Sequence, residues 1–557
     1  MQSRRAGVCS IRRLLQKSET LIFLFSIWVT LTCNLGFWGV VFGDPPGSEV
    51  PRSVYIALVG LLTTGLISLL MLLITHGRAT RCVLATTAIV TAAVGFFTAH
   101  FGILFDAGML VNVIQTNASE VQELVTLPLV ANTVLVGVVP AAFILRYRLQ
   151  PRRLSRAIFD RCVAVAVACG MIAIPLYVSQ KEILSLGRNH REVRYMIGPF
   201  NILAASYSVI RDRLQAPTEF RSVALDAART SETTGDRRPS VHVLIVGETA
   251  RAANFSMAGY SRMTNPMLHD RPDVNFFNIS SCGTATAVSL PCMFTIESRA
   301  KFDRVASSNE DNLLDIAARA GYSVHWVDNG NGCKGLCARV DNRDVHEAKV
   351  DSLCTSDGCF DAILVHELEM LLPEIKDDTL IVLHQLGSHG PAYYRRYPDE
   401  FRAFVPDCRS PNLGDCSNQA IANSYDNTIL YTDYVVATAI EALSEYSGRL
   451  NTSLIYLSDH GESLGEHNLY LHGMPYKFAP REQTQVPMIS WFSPGAEQLQ
   501  AFQPGCRNRI GDTAVSHDNL FHTELGLLGI ETVAYQSDLD IFAACRKPER
   551  MTAAVWR

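Results

Sequence analysis

The chain has 557 residues, of which 48% are hydrophobic and 18% charged, and its formal net charge is −5. That length exceeds one ordinary domain. The negative balance, with no basic stripe interleaved with aromatics after about residue 180, argues against nucleic acid as the main partner.

Apolar runs dominate the first part of the chain. Five are long enough to cross a bilayer, which takes about 20 apolar residues. They lie near residues 20–42, 53–75, 82–105, 124–145 and 158–179. The first reads as a span and not as a cleavable signal peptide, because no small-residue cleavage site followed by a soluble domain comes after it. Lys and Arg in the short flanks set the orientation. Arg4, Arg5, Arg12, Arg13 and Lys17 precede the first span, Arg78 and Arg81 separate the second and third, and Arg146, Arg148, Arg152, Arg153 and Arg156 separate the fourth and fifth. The other two loops carry Asp44, Glu49, Asp106, Glu120 and Glu123 against Arg52 alone. This predicts a cytoplasmic N-terminus and, after five spans, everything past residue 180 outside the cytoplasm.

Residues 181–240 form a connection. Its stretch 190–215 mixes aromatics with bases and reads either as an amphipathic helix on the membrane surface or as a packed linker helix. Ser231 to Pro239 reads as a loop. From residue 241 strands and helices alternate. Val241–Val246, Ser323–Val327, Thr379–Leu383 and Leu454–Leu457 read as strands, and Asn312–Ala320 and Ile421–Leu443 as helices. That order predicts a mostly parallel sheet with helices on both faces. Sites in such sheets gather at the carboxyl ends of the strands.

Three strands end in ligand-type residues. Gly247-Glu248-Thr249-Ala250-Arg251 follows the first. His384-Gln385-Leu386-Gly387-Ser388-His389-Gly390-Pro391 follows Thr379–Leu383, and Asp459-His460 follows Leu454–Leu457. Glu248, Asp459 and His460 offer oxygen and nitrogen ligands to zinc, and a catalytic zinc keeps a fourth position for the reacting group. The loop from Cys282 to Cys292 presents Thr284, Thr286 and Ser289 near an expected helix start. These hydroxyls read as helix caps or as a source of that fourth, nucleophilic group.

Of the 15 cysteines, Cys9, Cys33, Cys82, Cys162 and Cys169 lie in the membrane part. The other ten are Cys282, Cys292, Cys333, Cys337, Cys354, Cys359, Cys408, Cys416, Cys506 and Cys545, and the first eight fall into close pairs. Their even number suits disulfides in an oxidising compartment. Cys333-x-x-x-Cys337 could also be half a zinc site, but no neighbouring His or second close pair completes a tetrahedral set.

The strings GETAR, CGTATAVSLPCMF, HQLGSHGPAYYRRYP and LSDHGESLGEHNLYLHGMPY resemble the phosphoethanolamine transferases. These are Gram-negative inner-membrane enzymes with an alkaline-phosphatase-like periplasmic domain, and they include lipid A enzymes and the mobile colistin-resistance proteins. The resemblance runs over nearly the whole chain. It implies a five-helix transmembrane domain over 1–180, a connector over 181–240 and an α/β catalytic domain over 241–557, in a monomer. It implies zinc at Glu248, Thr286, Asp459 and His460, with Thr286 as the nucleophile. His389 and His472 would bind the substrate phosphate or a second zinc, and one of them would protonate a leaving group. Lys334 would contact the bound phosphoethanolamine. Asn112, Thr116 and Glu120 would lie near the ethanolamine site. Their spacing predicts one helical face, and polar caps at the membrane edge are the alternative for these three.

The implied reaction moves phosphoethanolamine from phosphatidylethanolamine to lipid A phosphate and releases diacylglycerol. The product would carry less negative charge and bind polymyxins less. Another glycolipid acceptor, a phosphoglycerol transferase, a soluble phosphatase or sulfatase, and a non-enzymatic membrane sensor are the rival readings. Two features depart from some relatives. Cys333 and Cys337 flank Lys334, and His467 lies inside the Asp-His-Gly motif, as an extra ligand or a surface imidazole.

Overall fold

A computed structural model of the chain describes residues 16–43, 50–77, 79–116, 118–230, 238–506 and 515–547. Packing divides it into two units, Met1–Leu110 with Val125–Val209, and Val111–Leu124 with Ile210–Arg557. Arg4, Arg5, Arg12, Arg13, Asp44, Glu49 and Arg78, used above for orientation, lie outside the described residues, as does most of the loop before residue 239.

Among the described residues of the first unit, four helices are long and apolar enough to cross a membrane: Arg52–Ile74, Ala79–Phe101, Leu127–Arg146 and Leu154–Val178. The expected first span is instead a pair, Ser18–Thr32 and Leu35–Gly43, bent by 61°. The break falls at Asn34. Its side-chain amide donates to the Val29 carbonyl at 3.0 Å, and its Oδ1 accepts the Gly198 N–H at 2.7 Å. A side chain that bonds nearby backbone competes with the helix ladder.

The Leu127–Arg146 helix holds a π-helical turn over Thr133–Val138, followed by Pro140. Proline has no N–H to give to the carbonyl four residues earlier. Here that carbonyl belongs to Val136, and the Trp28 indole donates to it at 3.2 Å. The stretch 190–215 is not one helix. It is a short 3-10 turn, Arg191–Tyr195, then a helix Phe200–Leu214. Pro199 stands between them and cannot continue a ladder.

The second unit is built on a seven-stranded sheet. In chain order its strands are β1 Ser240–Gly247, β2 Val274–Ser280, β3 Ser323–Asp328, β4 Asp341–Asp344, β5 Thr379–His384, β6 Asn451–Ser458 and β7 Gln485–Phe492. Their spatial order is β2-β7-β6-β1-β5-β3-β4. The pairs from β6 to β4 are parallel, and β7 runs antiparallel to both neighbours, so the sheet is mixed.

Central strands buried on both faces read as continuous apolar runs. On one face Leu244, Val246, Ile455 and Leu457 pack with Leu313, Leu314, Phe521 and Leu525 in one core. On the other runs the helix Asn418–Glu445, whose Leu443 carbonyl accepts the Thr452 hydroxyl at 3.2 Å. Both expected helices are present, and the first, Leu313–Arg319, starts at an Asn312 cap. All ten later cysteines are bonded: Cys282–Cys292, Cys333–Cys337, Cys354–Cys359, Cys408–Cys416 and Cys506–Cys545.

Candidate active site and metal centre

Strand register assembles the site. Gly247 of β1 lies opposite Ser458 of β6 in a parallel pair, so the next residues, Glu248 and Asp459, leave the sheet side by side. The same edge carries His384, opposite Val246 on one side and Asp328 on the other. A parallel sheet thus delivers four polar ends to one rim.

Glu248, Asp459 and His460 are fully buried, and one ligand atom from each lies within 4.8 Å of the others. His460 Nε2 stands 3.2 Å from Glu248 Oε1 and 3.4 Å from Asp459 Oδ2. Its Nδ1 lies 3.0 Å from the Gly461 carbonyl, which can only accept. Nδ1 therefore carries a proton, and Nε2 faces the two carboxylates, where a bound cation would take the place of its second proton. Two carboxylates in a dry pocket demand positive charge. Burial opposes ionisation of His460, but Asp459 and Glu248 overcome it and push its pKa up to about 10. Burial, with Glu248 adding to it, raises Asp459 to about 6. Asp459 Oδ2 has no hydrogen-bond partner although it is buried. A divalent cation satisfies all of these at once: it neutralises both acids and takes up the orphaned oxygen and the imidazole lone pair. The residues fit a metal ion.

Thr286 is the first residue of the helix Thr286–Met293, and its hydroxyl is not used as a cap. It donates to Glu248 Oε2 at 2.9 Å and lies 3.3 Å from His460 Nε2. The neighbouring hydroxyls are engaged elsewhere, Thr284 on the Met474 carbonyl and Ser289 on the Asp459 carbonyl. The Cys282–Cys292 bond closes the loop that presents Thr286.

His472 and His389 adjoin this centre. The His460 and His472 ring centroids are 4.5 Å apart, and those of His472 and His389 5.1 Å. His472 Nδ1 is 2.8 Å from Glu462 Oε2, and Tyr393 donates its hydroxyl to Glu462 Oε1 at 2.6 Å. His389 Nε2 is 3.2 Å from Glu120 Oε1. Burial disfavours charge on His389, but the Glu120 carboxylate outweighs it, and the imidazole's pKa is pushed up to about 9.

Lys334 lies on the loop that follows β3. Its Nζ donates to the Asn331 carbonyl at 2.6 Å. It lines a cavity of about 110 Å³ with Arg304 and with Ala287 and Pro291 of the Thr286 helix. Its backbone has φ of 50° between the bonded Cys333 and Cys337. His467 is exposed on a turn and is no part of the three-ligand cluster.

Asn112, Thr116 and Glu120 do not share one helix. Ala107–Gln115 ends before Thr116, and Ala118–Leu124 begins after it. The Thr116 hydroxyl donates to the Asn112 carbonyl at 2.8 Å, while Glu120 turns to His389. Glu462, Tyr393 and Asp328 were missed from sequence. Asp328 ends β3 and pairs with His384 Nδ1 at 3.0 Å. The strand-end logic applied to Ser323–Val327 would have found it.

The sulfatase family matches residues 240–530, and the family described as phosphoethanolamine transferase EptA/EptB matches residues 63–214. Phosphoethanolamine transferase EptA of Salmonella typhimurium is 36% identical over 94% of this chain and 96% of its own. Phosphatidylethanolamine transferase Mcr-1 of Escherichia coli is 31% identical over 92% of this chain and 94% of its own. The solved structure of the integral membrane lipooligosaccharide phosphoethanolamine transferase A from Neisseria meningitidis superposes with a TM-score of 0.92 at 34% identity, covering 96% of this chain and 99% of that one. With relatives of that identity along nearly its whole length, the chain belongs to the phosphoethanolamine transferases.

Proposed function

We propose that this enzyme moves phosphoethanolamine from phosphatidylethanolamine to a phosphate of lipid A through a threonine ester on Thr286. The observation that carries the reading is the Thr286 hydroxyl, free of capping duty and 2.9 Å from Glu248 inside the three-ligand cluster. Glu248, Asp459, His460 and Thr286 would hold one zinc ion. When bound, the ion supplies a Lewis acid that favours the threonine alkoxide and offsets charge on the phosphoryl oxygens.

The chain's own residues do the rest. Thr286 Oγ1, held toward Glu248, gives its proton to water and bonds to phosphorus as the bond to the diacylglycerol oxygen breaks. His389, charged through its pairing with Glu120, gives a proton to the departing oxygen, so diacylglycerol leaves neutral. His472, fixed by Glu462, holds the phosphoryl group with His389. An oxygen of the acceptor phosphate then displaces Thr286. Lys334 is the proposed contact to the phosphoryl oxygens of phosphoethanolamine, and Asn112, Thr116 and Glu120 those near its ammonium. The product adds that ammonium to an anionic surface and weakens attraction of cationic polymyxins.

In this reading the protein is a five-span monomer of the inner membrane, with the bent helix pair as one span. Its N-terminus is cytoplasmic and its catalytic domain, from about residue 241, is periplasmic. The relatives, which include lipooligosaccharide and Kdo(2)-lipid A phosphoethanolamine transferases, support the acceptor class.

The test is labelled phosphatidylethanolamine with purified, zinc-loaded protein. Wild type is expected to release diacylglycerol and carry label on Thr286, and Thr286→Ala to do neither while staying folded. Turnover in Thr286→Ala would sink the nucleophile. Label only from phosphatidylglycerol would point to a phosphoglycerol transferase, and transfer to a sugar hydroxyl alone would move the acceptor.

A further inference from the structure

The loop that carries His389 is anchored as far as Ser388, whose N–H donates to the Glu248 carbonyl at 2.9 Å and whose hydroxyl accepts from Thr428 at 2.7 Å. It leaves β5 at His384 and reaches a short 3-10 turn at Tyr393–Arg395. The main chain of His389 itself is held by Arg396. The Arg396 Nε–H donates to the His389 carbonyl at 2.8 Å. The other end of the same guanidinium is bonded to Glu123 Oε2. Arg396 and Glu123 are both buried, 9% and 7% exposed. Arg395 adds a second cation 3.8 Å from Glu123 Oε1.

Glu123 lies three residues beyond Glu120, in the same helix, Ala118–Leu124, so the two stand on one face. That face grips His389 twice. Glu120 holds the ring at Nε2, and Glu123 holds the main chain through Arg396. A planar guanidinium spans a carbonyl and a carboxylate at fixed separation, which an ammonium cannot do. Glu120, Glu123, His389 and Arg396 also line one small cavity with Asn331 and Leu386.

We propose that Arg396 and Glu123 are positioning residues for the transfer: together they set where the His389 imidazole stands relative to Thr286. The proposal rests on the reading that His389 serves the reaction. It adds two residues that touch neither substrate nor metal ligand. It also gives the segment 118–124 a task in the chemistry besides any contact with lipid.

The experiment uses full-length protein in detergent, zinc-loaded, with labelled phosphatidylethanolamine, reading diacylglycerol release as kcat and KM separately. Wild-type turnover tests the underlying function, so its absence would indict that reading and not this one. Glu123→Gln and Arg396→Lys are expected to lower kcat about 10- to 100-fold with the melting temperature held, since a misplacement near 1 Å costs that much. KM is expected to stay within about threefold, the mark of an interaction that matters in the transition state. Arg396→Lys, which keeps one donor, should retain more activity than Arg396→Met. The double variant Glu123→Gln/Arg396→Lys should lose no more than the worse single, because the two act as one unit. Unchanged kcat in folded Glu123→Gln overturns the proposal, as does a rise in KM alone, additive losses, or losses that merely follow the unfolded fraction in every variant. If Arg396→Lys does not fold, Glu123→Gln decides the matter alone.

Discussion

A hydroxyl or carboxylate acquires its role from what surrounds it, and Asp433 shows this away from the site. It is 1% exposed in the long helix, and its Oδ2 accepts the Met267 N–H at 2.8 Å. Burial raises its pKa to about 7, against the opposing backbone hydrogen bonds. Its folded pKa therefore lies above its unfolded one, near 3.8. The folded state binds the extra proton between these values, so stability is full below the lower one and falls as pH rises through the higher. Asp433→Asn keeps an acceptor but cannot ionise. Its melting temperature should change less between pH 5 and 8 than that of wild type, and equal slopes would show that Asp433 does not titrate there. The site residues differ in how far sequence alone revealed them. Glu248, Asp459 and His460 stood out because they end apolar strands. The Glu462 contact with His472 and the Arg396 contact with Glu123 join positions with no shared pattern, the second pair 273 residues apart.

Elements were legible where one period ran unbroken, and illegible where a side chain interrupted it. The strands β1, β5 and β6 and the helix Asn418–Glu445 carry strong patterns and appear nearly at their expected limits. The bend at Asn34 and the π turn before Pro140 are different. In each a polar side chain or a proline redirects a backbone bond, and mean hydropathy does not register it. Capping sits between these cases. Asn312 Oδ1 accepts the Leu314 N–H at 2.8 Å and Asp315 Oδ2 accepts the Asn312 N–H at 2.8 Å, a reciprocal box readable from spacing. The Asn312 amide also donates to the Leu336 carbonyl at 3.0 Å, which spacing does not reveal. Asn312→Ala should cost about 1–2 kcal/mol in urea unfolding, from the lost cap. A cost near zero would mean that the helix start is held by its neighbours.

At the scale of the whole molecule, the proposed metal centre would link activity to stability. A ligand that binds only the folded state adds stability by mass action, about 4 kcal/mol at a thousandfold excess over its Kd. Zinc added to metal-free protein should raise the melting temperature and restore transfer, and Asp459→Asn should blunt both. A melting temperature indifferent to zinc in wild type would remove the metal from Glu248, Asp459 and His460. Those acids are neighbours because Gly247 pairs with Ser458, and main-chain bonding fixes that pairing. A slip of one residue would turn one of the two carboxylates to the opposite face. The centre therefore has no partly formed version. Substitutions that weaken the sheet should reduce how many molecules work and leave the speed of each working molecule unchanged. A cell that makes a destabilised variant would hold a mixture of fully competent and inert copies.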